Sequence, residues 1–262
     1  MKNQFFLIVP VLLLAIGLVC LTKPSYCQNT ESNLTKALKT PKKTTGFVYQ
    51  NEVKGQSFDQ GVFKLTNLTL LNASGNDFKD KSLPSGIGNL KKLKYLDLAK
   101  NRFTTLSKEI GELKNLLYLY LTSNQFTNLP KEIGDLSSLA LLDASQNRLI
   151  SLPHEIGQLS NLRELNLSNN PLSKLPKSLG KLKKLKHLEL DNNKFNYQSL
   201  PSVIFELTSL EYLSVVNSQV SNVPDSIAQL KKLKELNLRG NNISGKVKSR
   251  LKKLLPNTKI KF

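Results

Sequence analysis

The sequence predicts one elongated α/β solenoid, a curved horseshoe with a parallel concave β-sheet and short helical or 3-10 turns on its convex side. Three observations predict it. First, a pattern L-x-x-L-x-L-x-x-N-x-(L/F) recurs: Leu93, Leu96, Leu98, Asn101 and Phe103 form one copy, and Leu116, Leu119, Leu121, Asn124 and Phe126 form the next. Second, the copies keep phase from residue 68 to 243, starting at Leu68, Leu93, Leu116, Leu139, Leu162, Leu185, Leu210 and Leu233, with steps of 25, 23, 23, 23, 23, 25 and 23 residues. Third, the first part of each copy alternates apolar and polar residues, as in Tyr95-Leu96-Asp97-Leu98-Ala99. That alternation marks a half-buried strand.

A repeat of about 20–29 residues with this pattern is the signature of a leucine-rich-repeat solenoid. One such strand cannot bury its apolar face alone, so successive coils must stack their leucines into a continuous core. The Asn column reads Asn76, Asn101, Asn124, Asn147, Asn170, Asn193, Ser218 and Asn241. An amide both donates and accepts, so each Asn can pair with turn backbone of its own and the next coil; Ser218 breaks the column. The second half of each copy reads like Leu129-Pro130-Lys131-Glu132-Ile133-Gly134-Asp135-Leu136. Ile133 and Leu136 stand three apart, which suits a short 3-10 turn, and Pro130 suits its start. Two copies carry two extra residues at this corner, in Lys79-Asp80-Lys81-Ser82 and Asn196-Tyr197-Gln198-Ser199.

Both ends of the core need caps. Residues 28–67 are assigned to an N-terminal cap, with a short helix from Leu34 to Leu38 and a degenerate coil over 43–67. That coil is threaded with Gly46 in a leucine slot, Val48, Asn51, Val53, Phe58, Val62 and Leu65 inward, and Phe47 and Tyr49 outward. Residues 68–243 hold the eight repeats. Residues 244–262 form the C-terminal cap, a basic amphipathic helix over Val247–Leu255 ending before Pro256, then a last strand over Thr258–Phe262.

Residues 1–27 read as a secretory signal: Lys2, an apolar run from Phe5 to Leu21, then Ser25 and Cys27 as the small residues before a cut at Gln28. The apolar run also has the length of a marginal membrane anchor, and Cys20 is an alternative lipid-attachment site. Both cysteines of the chain, Cys20 and Cys27, lie in this leader, so a cleaved product has no thiol and no disulfide framework.

Little in the sequence suggests chemistry. His154 and His187 lie in different coils. Without mature cysteines there is no thiolate nucleophile and no Cys-type zinc site, and no glycine-rich phosphate loop follows a strand. The reading is a non-enzyme with no catalytic residues, no metal and no cofactor.

Charge is more informative. The formal net charge is +19, and loss of Lys2 and Lys23 with the leader leaves +17. Lysines gather in pairs along one edge of the coil, at Lys91-Lys92, Lys183-Lys184, Lys231-Lys232 and Lys252-Lys253. Such an edge suits solubility or contact with sulfated glycans or anionic lipid headgroups; nucleic acid is a poor fit to an exported chain. The outward strand slots behave differently. They collect Asp97, Asp143, Glu164, Glu189, Asp191 and Glu235 but one strong base, Arg239, and they carry Tyr95, Tyr118, Tyr120 and Tyr212. Aromatics bury much area at small entropic cost, which enriches them in binding hot spots. With His187, these acids and tyrosines form the candidate ligand-binding face; the lysine edge is the candidate anion-binding face.

The copies Leu152-Pro153-His154-Glu155-Ile156-Gly157-Gln158-Leu159 and Leu129-Pro130-Lys131-Glu132-Ile133-Gly134, the ending Leu254-Leu255-Pro256-Asn257-Thr258-Lys259-Ile260 and the opening Leu34-Thr35-Lys36-Ala37-Leu38 resemble the 23-residue leucine-rich-repeat proteins exported by pathogenic spirochaetes. The resemblance spans about residues 31–262, with departures at Gly46, Ser107 and Ser218. It implies a secreted or surface protein that binds host ligands, among them extracellular matrix, cadherin-type adhesion proteins and innate receptors. An envelope protein holding anionic glycan or lipid through the lysine edge is the alternative. Export with cleavage leaves a product that begins near Gln28. N-terminal sequencing of exported material reads this directly; a lipid-modified Cys20 or a retained leader contradicts it.

Overall fold

The computed structural model describes residues 30–49, 55–195 and 199–262. The expected leader with Cys20 and Cys27, the slots given to Asn51 and Val53, and most of the second corner insertion lie outside the described residues.

Ten strands of three residues each form one parallel sheet in strict sequence order. They are β1 (Gly46–Val48), β2 (Leu70–Asn72), β3 (Tyr95–Asp97), β4 (Tyr118–Tyr120), β5 (Leu141–Asp143), β6 (Glu164–Asn166), β7 (His187–Glu189), β8 (Tyr212–Ser214), β9 (Glu235–Asn237) and β10 (Lys259–Lys261). The middle residue of each repeat strand is a leucine, from Leu71 and Leu96 to Leu213 and Leu236, and every one is fully buried. Register aligns these leucines across all repeat strands. Side chains on either side of them therefore share the opposite, concave face.

The asparagine column closes each coil onto its neighbour. Asn124 Nδ2 donates to Leu98 O in the preceding coil at 2.8 Å and to Leu121 O in its own at 3.0 Å, while its Oδ1 accepts from Phe103 N at 3.0 Å. Asn147 and Asn170 repeat this set one coil on each time. Ser218 substitutes in part: its hydroxyl lies 3.0 Å from Leu190 O and 3.1 Å from Val216 O, and accepts from Asn193 N at 3.3 Å. The residue before the column is left-handed in each turn, as at Lys100, Ser123 and Gln146.

Convex turns are 3-10, for example Lys131–Asp135 and His154–Gln158, each entered through a proline in extended geometry. The glycine of the turn is set by stacking. A Cβ on Gly134 would stand 2.5 Å from the Glu155 carbonyl oxygen, and one on Gly157 would stand 2.7 Å from Ser178 Cβ. Isolated bridges join Ser82 with Thr105 and Ser199 with Asn222, and the strands that flank each insertion in sequence stay in register.

The first coil differs from its sequence threading. Gly46, Phe47 and Val48 pair with Leu70, Leu71 and Asn72. Phe47, not Gly46, occupies the leucine slot, and Phe47 and Tyr49 are buried rather than outward. Strand side chains alternate, so a one-residue slip exchanges the two faces. The cause is an aromatic plug in place of leucine: Tyr49 packs 5.0 Å from Phe58 and 5.3 Å from Phe78 between ring centroids, and Phe58 stacks on Phe63. Helix α1 (Thr30–Lys39) lies over the turn Gln60–Lys64, with Leu34 buried. At the other end, Ser244 caps α2 (Gly245–Leu254), which buries Leu251.

Leu121→Ala leaves a cavity in this stacked core and is expected to cost about 2–5 kcal/mol. Asn124→Ala leaves Leu98, Leu121 and Phe103 backbone groups unpaired and is expected to cost about 1–3 kcal/mol. Urea unfolding of both variants measures this, and values within about 0.5 kcal/mol of wild type would contradict the slot assignment.

Candidate functional site

Two rows of side chains cross the concave sheet. The first outward slot reads Leu70, Tyr95, Tyr118, Leu141 over β2–β5, and then Glu164, His187, Tyr212, Glu235 over β6–β9. The second reads Asn72, Asp97, Tyr120, Asp143, then Asn166, Glu189, Ser214, Asn237 along the same strands. The first row therefore runs apolar and aromatic over β2–β5 and, apart from Tyr212, charged or polar over β6–β9, while the second row carries acids along both halves, at Asp97, Asp143 and Glu189.

In the aromatic half, Tyr95, Tyr118 and Tyr120 are each half-buried. Tyr95 leans diagonally, its ring 5.4 Å from that of Tyr120 and its hydroxyl 3.5 Å from Asp97 Oδ2. Burial pushes both phenols up. Leu70 and Leu141 flank the tyrosines and are nearly inaccessible. Sequence reasoning passed over both, taking apolar residues as core; their position in an outward slot was the signal.

The acids of the face are unevenly satisfied. Asp143 accepts from Ser145 N and Oγ at 3.0 and 2.6 Å, and Asp191 accepts from Ser214 Oγ and Val216 N, each at 2.7 Å. Glu235 is paired with Lys261. Glu164 and Glu189 have no hydrogen-bond or ion-pair partner among the described residues. Burial raises Asp97, Asp143, Glu164 and Asp191. Burial together with the charges of Asp191, Asp143 and Glu164 raises Glu189 to about 8. His187 is held low by burial, and its ring lies 6.1 Å from Tyr212. Its Nδ1 is buried without a hydrogen-bond partner.

The lysine edge is not continuous. Lys91 pairs with Glu112 at 3.8 Å, while Lys92 and Lys184 donate to Asn67 and Asn161 at 2.7 Å. Lys183 donates to Glu206 O at 2.8 Å. Lys231 and Lys232 are exposed. The pairs at Lys91-Lys92 and Lys183-Lys184 are four coils apart, about 19 Å at strand spacing, with Lys114-Asn115, Ser137-Ser138 and Ser160-Asn161 between them, and Lys114 pairs with Asp135 at 3.8 Å. Lys186 and Lys234 converge on Glu211 at 2.9 and 2.6 Å and hold it down to about 2.

Among the described residues no group of three or more His, Cys, Asp or Glu side chains is placed to hold a metal ion, and no helix is long and apolar enough to cross a membrane.

Residues 61–150 and 142–259 match the family described as leucine-rich repeat region. The chain belongs to the leucine-rich repeat family. No curated protein matches it. Among solved structures, it is similar to the ectodomain of the Arabidopsis thaliana membrane receptor kinase GASSHO1/SCHENGEN3, solved in complex with CASPARIAN STRIP INTEGRITY FACTOR 2. That match has 29% identity and a TM-score of 0.64 over 78% of this chain and 25% of that one. The plant peptide hormone receptor RGFR1, in complex with RGF2, matches at 30% identity and a TM-score of 0.55 over 76% of this chain and 35% of its own. A Leptospira interrogans leucine-rich-repeat protein matches at 26% identity and a TM-score of 0.37 over 90% of this chain and 100% of its own. The chain thus spans about a quarter to a third of the two plant receptor chains.

A pH effect on stability follows from Glu189. Its folded carboxyl titrates near 8 against an ordinary 4.5, so between those values the folded state holds a proton that the unfolded state has lost. Stability is then fully present below about 4.5 and falls as pH rises toward 8. Urea unfolding at pH 5.5 and 8.5 should show wild type losing stability across the interval and Glu189→Gln losing less; equal losses would remove Glu189 as the source.

Proposed function

We propose that this chain is an exported protein-binding module, secreted or held at the cell surface, whose concave sheet receives the partner. The observation that carries the reading is the cluster of half-buried Tyr95, Tyr118 and Tyr120 on the concave face, supported from beside by the nearly inaccessible Leu70 and Leu141. Apolar and aromatic side chains on a rigid sheet provide contact area with little ordering cost. The two plant receptor structures, each solved in complex with a partner, support a recognition role for coils of this kind. The leader-like residues 1–27 support export. The resemblance to exported spirochaete proteins supports a role as an adhesin or effector with matrix, cadherin-type or innate-receptor partners.

The lysine edge is the weaker surface, because its pairs are separated and four of its amines already have partners. Surface plasmon resonance against a panel of extracellular proteins identifies the partner; each variant is then compared after circular dichroism confirms its fold. Tyr118→Ala is expected to cost more than about 1 kcal/mol of affinity. Joint replacement of Lys183 and Lys184 is expected to change mainly the salt dependence. Normal binding by the tyrosine variant with loss in the lysine variant moves the partner to the basic edge, and with it to an envelope protein holding anionic glycan or lipid.

A further inference from the structure

The two halves of the concave face are joined in one register, and that arrangement restricts what can lie on both. We infer that the sheet receives an extended peptide segment running along the solenoid axis, with an apolar or aromatic side chain over β3–β4 and a lysine or arginine over β6–β7. This deepens the concave reading above and rests on it.

Three features support such an occupant. The aromatic patch centred over β3–β4 and the unpaired carboxylates Glu164 and Glu189 over β6–β7 have centres three strands apart, about 14 Å, which an extended chain covers in about four residues. A cation seated between Glu164 and Glu189 would supply the counter-charge that no described residue gives them. The amide Oδ1 of Asn166 is taken by Ser168 N at 3.0 Å, whereas its Nδ2 donates to nothing among the described residues. Asn166 stands in register between Asp143 and Glu189. Its free N–H is thus placed to donate to a carbonyl oxygen of a peptide passing from one half to the other. A folded basic surface could meet the acids, but a segment only about one side chain wide fits both rows of a curved sheet.

The site also gives the interaction a pH dependence. Glu189 faces Asp143 on β5, Glu164 on β6, His187 beside it on β7, Asp191 just beyond β7, Tyr212 on β8 and Glu235 on β9. Lys186, Lys234 and Glu211 form a closed set at the strand entrances. His187 is held low by burial, so the change expected in the alkaline range belongs to Glu189, which gains its charge near 8.

The test uses the full chain and fluorescent ten-residue Gly/Ser peptides carrying one Trp and, four residues on, Arg, Gln or Glu. Binding is read by fluorescence polarisation at pH 6.5 and 9. The Arg probe is expected to bind about tenfold tighter than the Glu probe at pH 9, with a smaller preference at pH 6.5. Glu189→Gln should flatten that pH dependence, and Tyr118→Ala should weaken every probe. Moving Arg next to Trp should remove the advantage. Equal binding of all three probes, a preference untouched by Glu189→Gln, or no binding at millimolar probe overturns the inference. Loss of binding in Tyr118→Ala without any charge preference leaves the concave face standing and removes only the bipartite peptide. Binding abolished by the Lys183 and Lys184 replacements alone removes both.

Discussion

No coil of this protein can satisfy itself, and the rest of the structure follows from that constraint. A three-residue strand exposes its leucine unless a second strand lies beside it, and a left-handed turn exposes carbonyl oxygens unless an amide reaches them. Asn124 meets the second need by holding Leu98 O of the coil before and Leu121 O of its own. The same stacking brings turn glycines such as Gly134 against the next turn's backbone, where no Cβ fits. Sequence regularity is therefore the residue-level form of a nearest-neighbour energy.

Because that energy resides in the inward slots and the turns, the outward slots are released from folding duty. A few still serve it, such as buried Leu70 and Leu141 and turn-holding Asp143, but their chemistry can vary from strand to strand. The concave face uses this freedom to set tyrosines beside buried leucines, then carboxylates raised by burial. Carboxylates left without partners lower stability in the free protein, and that is the condition under which an incoming cation gains most.

Much of this was legible in the sequence, for physical reasons. The leucine and asparagine slots announce themselves because they recur at a fixed period. Outward positions follow once strand alternation is granted, so Tyr95, Tyr118 and Glu189 could be placed on one face before any coordinates. The first coil resisted because Phe47 and Tyr49 fill slots elsewhere held by leucine or alanine, and aromatic residues are equally at home on an exposed strand; only packing on Phe58 and Phe78 decides between the faces. Leu70 and Leu141 escaped notice for the converse reason, being apolar on the outer side. Which lysines are occupied was invisible, since Lys92 finds Asn67 through stacking of coils 25 residues apart.

Ser218 has a consequence for how the molecule comes apart. An amide gives two protons to the carbonyls around it, whereas one hydroxyl proton must choose between Leu190 O and Val216 O. Asp191 makes up part of the difference, since its carboxylate in the coil of β7 accepts from Ser214 Oγ and Val216 N in the coil of β8. Beyond it lie two strands, the helical cap and β10, closed by Asn241, which accepts from both Ser218 N and Val220 N at 3.0 Å. Pulling the coils of β7 and β8 apart therefore means breaking the Asp191 contacts as well as the single Ser218 bond to Leu190 O.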